Sequence, residues 1–144
     1  VIWLLYLGYV ERNTTAMATR GRIGIELKDG SILSAYSHWD SYPEWLGRIL
    51  KTHYNSKDAA AELIDGGDMS AAWNDNHEPE YYSARGEDVP PRLDKDLCEY
   101  LLPDNSEEYA YVFRAGEWVC YNMHQFDDSK LPEVVEIPSG ALAA

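Results

Sequence analysis

Between residues 34 and 47 the chain reads SAYSHWDSYPEWLG, which sets His38 and Asp40 on either side of Trp39. In extended backbone, residues i and i+2 share a face, so the imidazole and the carboxylate can lie together. A carboxylate so placed orients the ring and raises its basicity, the arrangement of a general base. The same residues also suit a scaffold. Asp40 can cap a helix that starts near Pro43, with His38 filling a polar core position. The sequence leaves both readings open.

Two further regions carry polar chemistry. Asp68 follows the pair Gly66-Gly67, and the stretch YYSARGEDVPPR holds Arg85 and Glu87. A guanidinium such as Arg85 can clamp a carboxylate or phosphate; it can also pair with its acidic neighbours, a contact worth little on the surface. If the chain is an enzyme, His38, Asp40 and Glu87 are the catalytic candidates, and Trp39, Tyr42, Asp68 and Arg85 are the binding candidates. His38, His53, His77 and His124 are dispersed with no HExxH or HxH pattern, and there is no CxxC pair, so no metal site is expected. The glycine-rich phosphate and dinucleotide loops and the GxSxG elbow are also missing, so no cofactor is expected. Cys98, on a presumed inner stripe with Leu97 and Leu101, and Cys120, alternating with Trp118, read as buried thiols of a reducing cytoplasm.

The elements that must position these groups follow from periodicity. RIGIEL alternates Ile23, Ile25 and Leu27, Asp29-Gly30 supplies a turn, and ILSAYSHW follows, which predicts a β-hairpin over about 22–39. Pro43 suits the first turn of a helix with Ser41 or Tyr42 before it. Trp45, Leu46, Ile49, Leu50 and His53 then fall on one helical stripe, which Gly47 weakens. Asn55 or Ser56 caps a second helix ending at Gly66-Gly67, and DMSAAWND reads as one further helical turn. Residues 74–92 read as a long polar loop, functional or mobile. Asp94 is the expected cap of a short helix, DKDLCEYLL, that Pro103 stops. Tyr109, Tyr111 and Phe113, then Val119, Tyr121 and Met123, alternate around Ala115-Gly116 as a second hairpin over about 108–123. An edge strand is expected at 134–137. The predicted fold is α+β: an antiparallel sheet of two hairpins, with two or three helices between them packed on one face.

With 144 residues, 45% hydrophobic and 26% charged, the chain fits one domain. Twenty-five acidic residues against twelve basic give a net charge of -13, a field that repels nucleic acid, so no direct nucleic-acid binding is expected. Such a surface suits solubility, or a partner with a basic groove. Five Trp and eleven Tyr against two Phe favour a protein-binding face or a polar-lined pocket. The opening VIWLLYLGYV is too short to cross a bilayer and lacks the basic flank of a signal peptide, so no membrane association is expected. Glu11-Arg12 can be encoded by a purine run resembling a bacterial ribosome-binding site, a short spacer before Met17. Residues 1–16 are therefore expected to be upstream sequence read in frame, with one domain over 17–144; the alternative makes IWLLYLGYV a first strand.

The stretch RIGIELKDGSILSAYSHWDSYPEWLG, together with His53-Tyr54, GGDMS, RGED and EYAYVF, resembles a family of small phage, prophage and mobile-element proteins that carry HWDxYP after an N-terminal hairpin. The likeness covers most of residues 17–121. Ser41 stands where that family has glycine, and Ser37 where it often has cysteine. The resemblance implies a phage or mobile-element origin and a shared fold, and leaves the chemistry open. The leading expectation is a non-enzymatic accessory protein of the host bacterial cytoplasm that binds a host or phage protein. The alternatives are a small enzyme or ligand-binding domain centred on His38 and Asp40, and a minor virion or assembly component.

Overall fold

A computed structural model describes residues 19–102, 107–125 and 132–139. The expected extension at 1–16, the start at Met17 and the stop at Pro103 lie outside the described residues. The strands are β1 (Gly21–Glu26), β2 (Ile32–Trp39), β3 (Met69–Ala71), β4 (Glu80–Tyr81), β5 (Arg92–Asp94), β6 (Tyr109–Arg114), β7 (Glu117–Asn122) and β8 (Glu133–Val135). The helices are α1 (Arg48–His53), α2 (Lys57–Asp65) and α3 (Leu97–Tyr100). All eight strands join one sheet in the order β4-β3-β2-β1-β6-β7-β8, with β5 paired to β2.

The fold is mixed α+β, and the sheet is mixed rather than antiparallel. β1 and β2 pair antiparallel, as do β6 and β7, but β1 lies parallel to β6 and β2 lies parallel to β3. Parallel neighbours need a crossover, and α1 with α2 supply it between β2 and β3. Burial follows: β1 is covered on both faces, and Arg22 and Gly24 on one side are as enclosed as Ile23 and Ile25 on the other.

The helices are also divided between the two faces, which corrects the one-face arrangement. Leu46, Leu50, Ala60, Leu63 and Ile64 from α1, α2 and the turn before them pack on Ile23, Ile25, Ala35, Tyr111 and Phe113. Successive strand residues point to opposite faces, and the alternate set, Ile32, Ala110, Val112 and Tyr121, is covered by Tyr100 and Leu101 of the α3 segment. The Tyr100 ring lies over Gly24 and its hydroxyl donates to the Tyr111 carbonyl at 2.6 Å.

Local chemistry explains most element ends. The helical run starts at Pro43 as a wide π turn, Pro43–Gly47, and the Tyr42 carbonyl accepts from Trp45 and Leu46 N–H. Gly47, a poor helix former, leaves the space in which Ile137 of the C-terminal segment packs; a Cβ there would stand 2.8 Å from an Ile137 methyl. Ser56 caps α2 by accepting from Ala59 N–H at 3.1 Å. Four expectations are corrected. Residues 69–71 are strand β3, because buried Met69 completes the edge of β2. The stretch 74–92 is no featureless loop: it holds β4 and a 3-10 turn at Tyr82–Arg85. Asp96, not Asp94, caps α3, accepting from Glu99 N–H at 2.9 Å, while Asp94 is buried in β5 and takes a hydrogen bond from Arg92 Nε. Cys98 is exposed, and only Cys120 of the two cysteines is buried.

Two outcomes are expected. At Gly21 a Cβ would stand 2.5 Å from Ser41 Cβ and 3.1 Å from the Tyr109 carbonyl oxygen, so Gly21→Ala is expected to destabilise the fold by about 1–3 kcal/mol, read as a lower urea midpoint. Burial pushes the Tyr54 and Tyr81 hydroxyls and the Cys120 thiol up to about 12, and raises Tyr100 and Tyr111 well above the ordinary range. The folded chain thus holds these protons more tightly than the unfolded chain, where tyrosine ionises near about 10 and cysteine near about 8.5. Their stabilisation is complete below those values and is lost as the pH rises towards about 12. Urea midpoints measured from neutral to strongly alkaline pH should fall across that window, with tyrosinate absorbance appearing together with unfolding.

Candidate functional site

The second half of β2 turns Tyr36 and His38 to the α3 side of the sheet. The Tyr36 hydroxyl and His38 Nδ1 are 2.8 Å apart, and in the Nε2–H tautomer the hydroxyl donates. His38 is half-buried, with Trp39 set edge-on at 5.0 Å between ring centroids. Among the described residues, no hydrogen bond or ion pair joins His38 to Asp40, nor does Asp40 cap the helix that follows. The imidazole is oriented by a phenol instead of a carboxylate.

Asp68 occupies a junction. Its Oδ1 accepts from Tyr36 N–H at 2.9 Å, its own N–H donates to the Val89 carbonyl at 2.9 Å, and its carbonyl accepts from Tyr82 N–H at 3.1 Å. Gly67 makes this possible: its φ is +86°, and a Cβ there would stand 2.4 Å from the Val89 oxygen. One residue therefore fastens β2, the turn at 82–85 and the segment at 89. Arg85 lies over the Tyr82 ring at 5.3 Å and 3.9 Å from Glu80, both partners exposed, and Glu87 N–H donates to the Tyr82 carbonyl at 3.3 Å. Desolvation raises the hydroxyl pKa of Tyr36 and of Tyr82; Asp68 adds to it in both, against Arg20 at Tyr36 and Arg85 at Tyr82.

The floor of this region is buried and charged. Arg22 Nε donates to Ser34 Oγ at 2.7 Å, and its guanidinium stands 3.9 Å from the Glu107 carboxylate, with both side chains enclosed. Removing one member of such a pair leaves a buried charge and costs several kcal/mol, about 3–5. This pair supports the face; it does not present chemistry to solvent.

The candidates therefore separate. Asp68, Arg85 and Glu87 gather around Tyr82, and His38 reaches Asp68 through Tyr36. Trp39 and Tyr42 stand exposed on the elbow between β2 and the helix. That elbow is held from inside by Ser41, which is fully buried: its N–H donates to the Thr19 carbonyl at 2.8 Å and its carbonyl accepts the Tyr111 hydroxyl at 2.7 Å. Ser37 is buried too, and its hydroxyl has no hydrogen-bond partner among the described residues; a thiol, less polar and of similar size, suits that position.

Tyr36 and Tyr82 are not among the candidates that residue type singles out, although the alternation of Ser34, Tyr36 and His38 groups the first with His38. An aromatic stack is likewise missing from the sequence-derived candidates: Trp73 stacks with His53 at 4.0 Å and with His77 at 5.2 Å, its plane nearly parallel to both rings. His77 adopts φ +63° in a turn closed by Asn74, whose Oδ1 accepts from Asn76 and Glu78 N–H. Beside the stack runs a groove of about 500 Å³ walled by His53, Tyr54, Glu62, Asp65 and Tyr81. No group of three or more His, Cys, Asp or Glu side chains among the described residues is placed to hold a metal ion, and no helix among them is long and apolar enough to cross a membrane. Comparison with protein-family models, with curated proteins and with solved structures finds no match.

Asp68→Ala is expected to cost about 1–3 kcal/mol, because it strands the Tyr36 N–H and loosens the 82–89 segment. Asp68→Asn, which keeps an acceptor oxygen, should recover part of the loss. Hydrogen exchange at the Tyr36 amide distinguishes the two. Arg85→Ala should change stability by less than about 0.5 kcal/mol, since its ion pair is exposed.

Proposed function

We propose that this chain is a non-enzymatic accessory protein of phage or mobile-element origin that binds a host or phage protein in the bacterial cytoplasm. One observation carries the reading: Trp39 and Tyr42 are 41% and 37% exposed on an elbow whose backbone is fixed by buried Ser41. Large aromatic side chains held on rigid backbone bind with little further loss of conformational freedom, and they anchor protein interfaces more often than other residues do. The net charge of -13 speeds encounter with a basic partner and discourages acidic ones.

A second reading has its own support. The Tyr36–His38 hydrogen bond, with Asp68, Tyr82, Arg85 and Glu87 beyond it, supplies a hydroxyl, an imidazole and a guanidinium on one side of the sheet. That set suits recognition of a small anionic ligand, or proton transfer by His38.

Affinity capture from host lysate, with and without phage infection, separates the readings. The interaction reading expects a discrete protein retained by the wild-type chain and by His38→Ala, and lost with Trp39→Ala/Tyr42→Ala while the fold is intact. Loss with His38→Ala alone, accompanied by a retained small molecule, transfers the assignment to the second reading. Recovery of a phage structural protein through Trp39 and Tyr42 makes the chain an assembly component.

A further inference from the structure

At the end of the sheet away from the elbow, three basic side chains from separate segments line one groove. The parallel register of β1 and β6 sets Ile25 beside Phe113, so the turns that follow both strands lie at the same end. The start of α2 lies beside them, and the three segments border an open groove of about 460 Å³. That volume lies within the range of small-molecule sites, about 300–1,000 Å³.

The wall is chemically divided. Ile25, Leu27 and Phe113 supply an apolar floor, of which Leu27 is 37% exposed. Lys28, Lys57 and Arg114 come from three different segments to its rim. Glu26 is the single carboxylate in the wall, and it is engaged by Arg114 at 3.3 Å. Asp29, next to Lys28, keeps its charge but is turned to the N–H and hydroxyl of Ser31 within its own turn and does not line the groove. Lys28 and Lys57 form no ion pair among the described residues. In a chain with twice as many acids as bases, the wall of this groove carries three cations and one carboxylate, the latter paired with Arg114, while the acids next in sequence, Asp29, Asp58 and Glu117, lie outside the wall.

We propose that this groove is a binding site for a small organic carboxylate carried on an apolar stem. The two free ammonium groups meet the carboxylate, and the stem covers Leu27 and the edge of Phe113. Neither half suffices alone: an inorganic anion leaves the floor wet, and a neutral apolar molecule leaves the lysines unmatched. The site is separate from Trp39 and Tyr42 and does not depend on the interaction reading above.

The probe is 3-phenylpropionate, added to the isotope-labelled full chain and followed by amide chemical shifts. Saturable shifts are expected at Leu27, Lys28, Lys57 and Gly116. Lys28→Gln/Lys57→Gln should weaken the binding roughly fivefold, and Leu27→Ser should weaken it separately by a similar factor, roughly; these residues are exposed enough for both variants to fold. Inorganic phosphate and 3-phenylpropanol, the charge without the stem and the stem without the charge, should each bind more weakly than the acid. The proposal is overturned if 3-phenylpropionate gives no saturable shift at these amides, if the double lysine variant binds it equally well, or if either control matches it. Trp39→Ala/Tyr42→Ala should leave the titration unchanged, so failure here and failure of the interaction reading are read independently.

Discussion

The hydrogen bond from the Tyr111 hydroxyl to the Ser41 carbonyl joins a central strand to the elbow 70 residues earlier, and both ends are buried. A buried carbonyl needs a partner, and this one is satisfied only when β6 lies parallel beside β1 and the chain turns over Gly21. The same contact fixes where the helical run begins, and so where Trp39 and Tyr42 stand. Tyr111 also accepts, through its own carbonyl, the Tyr100 hydroxyl from the other face of the sheet. One residue thus ties together the two hairpins, the elbow and the α3 layer.

Around that centre, tyrosine does more than fill space. Tyr54 and Tyr81 donate to the carbonyls of Ala72 and Leu63, which clips α2 and the end of α1 to β3 and β4, and Trp118 donates to the Tyr54 carbonyl. Each ring buries apolar area while its polar tip satisfies a backbone group that lacks a ladder partner. Among the described residues, Tyr100, Tyr111, Trp118 and Tyr121 are buried outright, so part of the high Tyr and Trp content serves the interior. Trp39 and Tyr42 on the elbow are the exposed members of that set.

Much of the local structure was legible. Asp29-Gly30 and Ala115-Gly116 mark turns, and Gly30 and Gly116 have positive φ there; Pro43 and Ser56 mark helix starts. These signals act within a few residues, so neighbouring side chains suffice to read them. The misreadings share another cause. β3 is three residues long and β4 two, too short for a period to show; β3 exists because β2 offers it a backbone edge, and β4 because β3 does. Asp94 and Asp96 are equally good caps by type; β5 pairing with β2 claims the first and leaves the second to the helix. For the candidate site, the residue types around His38 were visible, but its partner was not: Tyr36 and Asp40 both lie two residues away, and the strand ends before Asp40.

The sequence by itself determined the charge, the turns, the helix starts and the alternation that gives each strand two faces, because each depends on residue type and near neighbours. Only the tertiary structure decided that the two hairpins join through parallel strands, that α3 covers the face opposite α1 and α2, and that Asp68 reaches Tyr36. Those outcomes rest on contacts between residues dozens of positions apart, where shape and hydrogen-bond completion select among pairings that residue type alone leaves equivalent. The groove is of the same kind: Lys28, Lys57 and Arg114 are scattered in the chain, the register of β1 on β6 sets the turns of Lys28 and Arg114 at one end, and the packing of α2 on the sheet brings Lys57 to them.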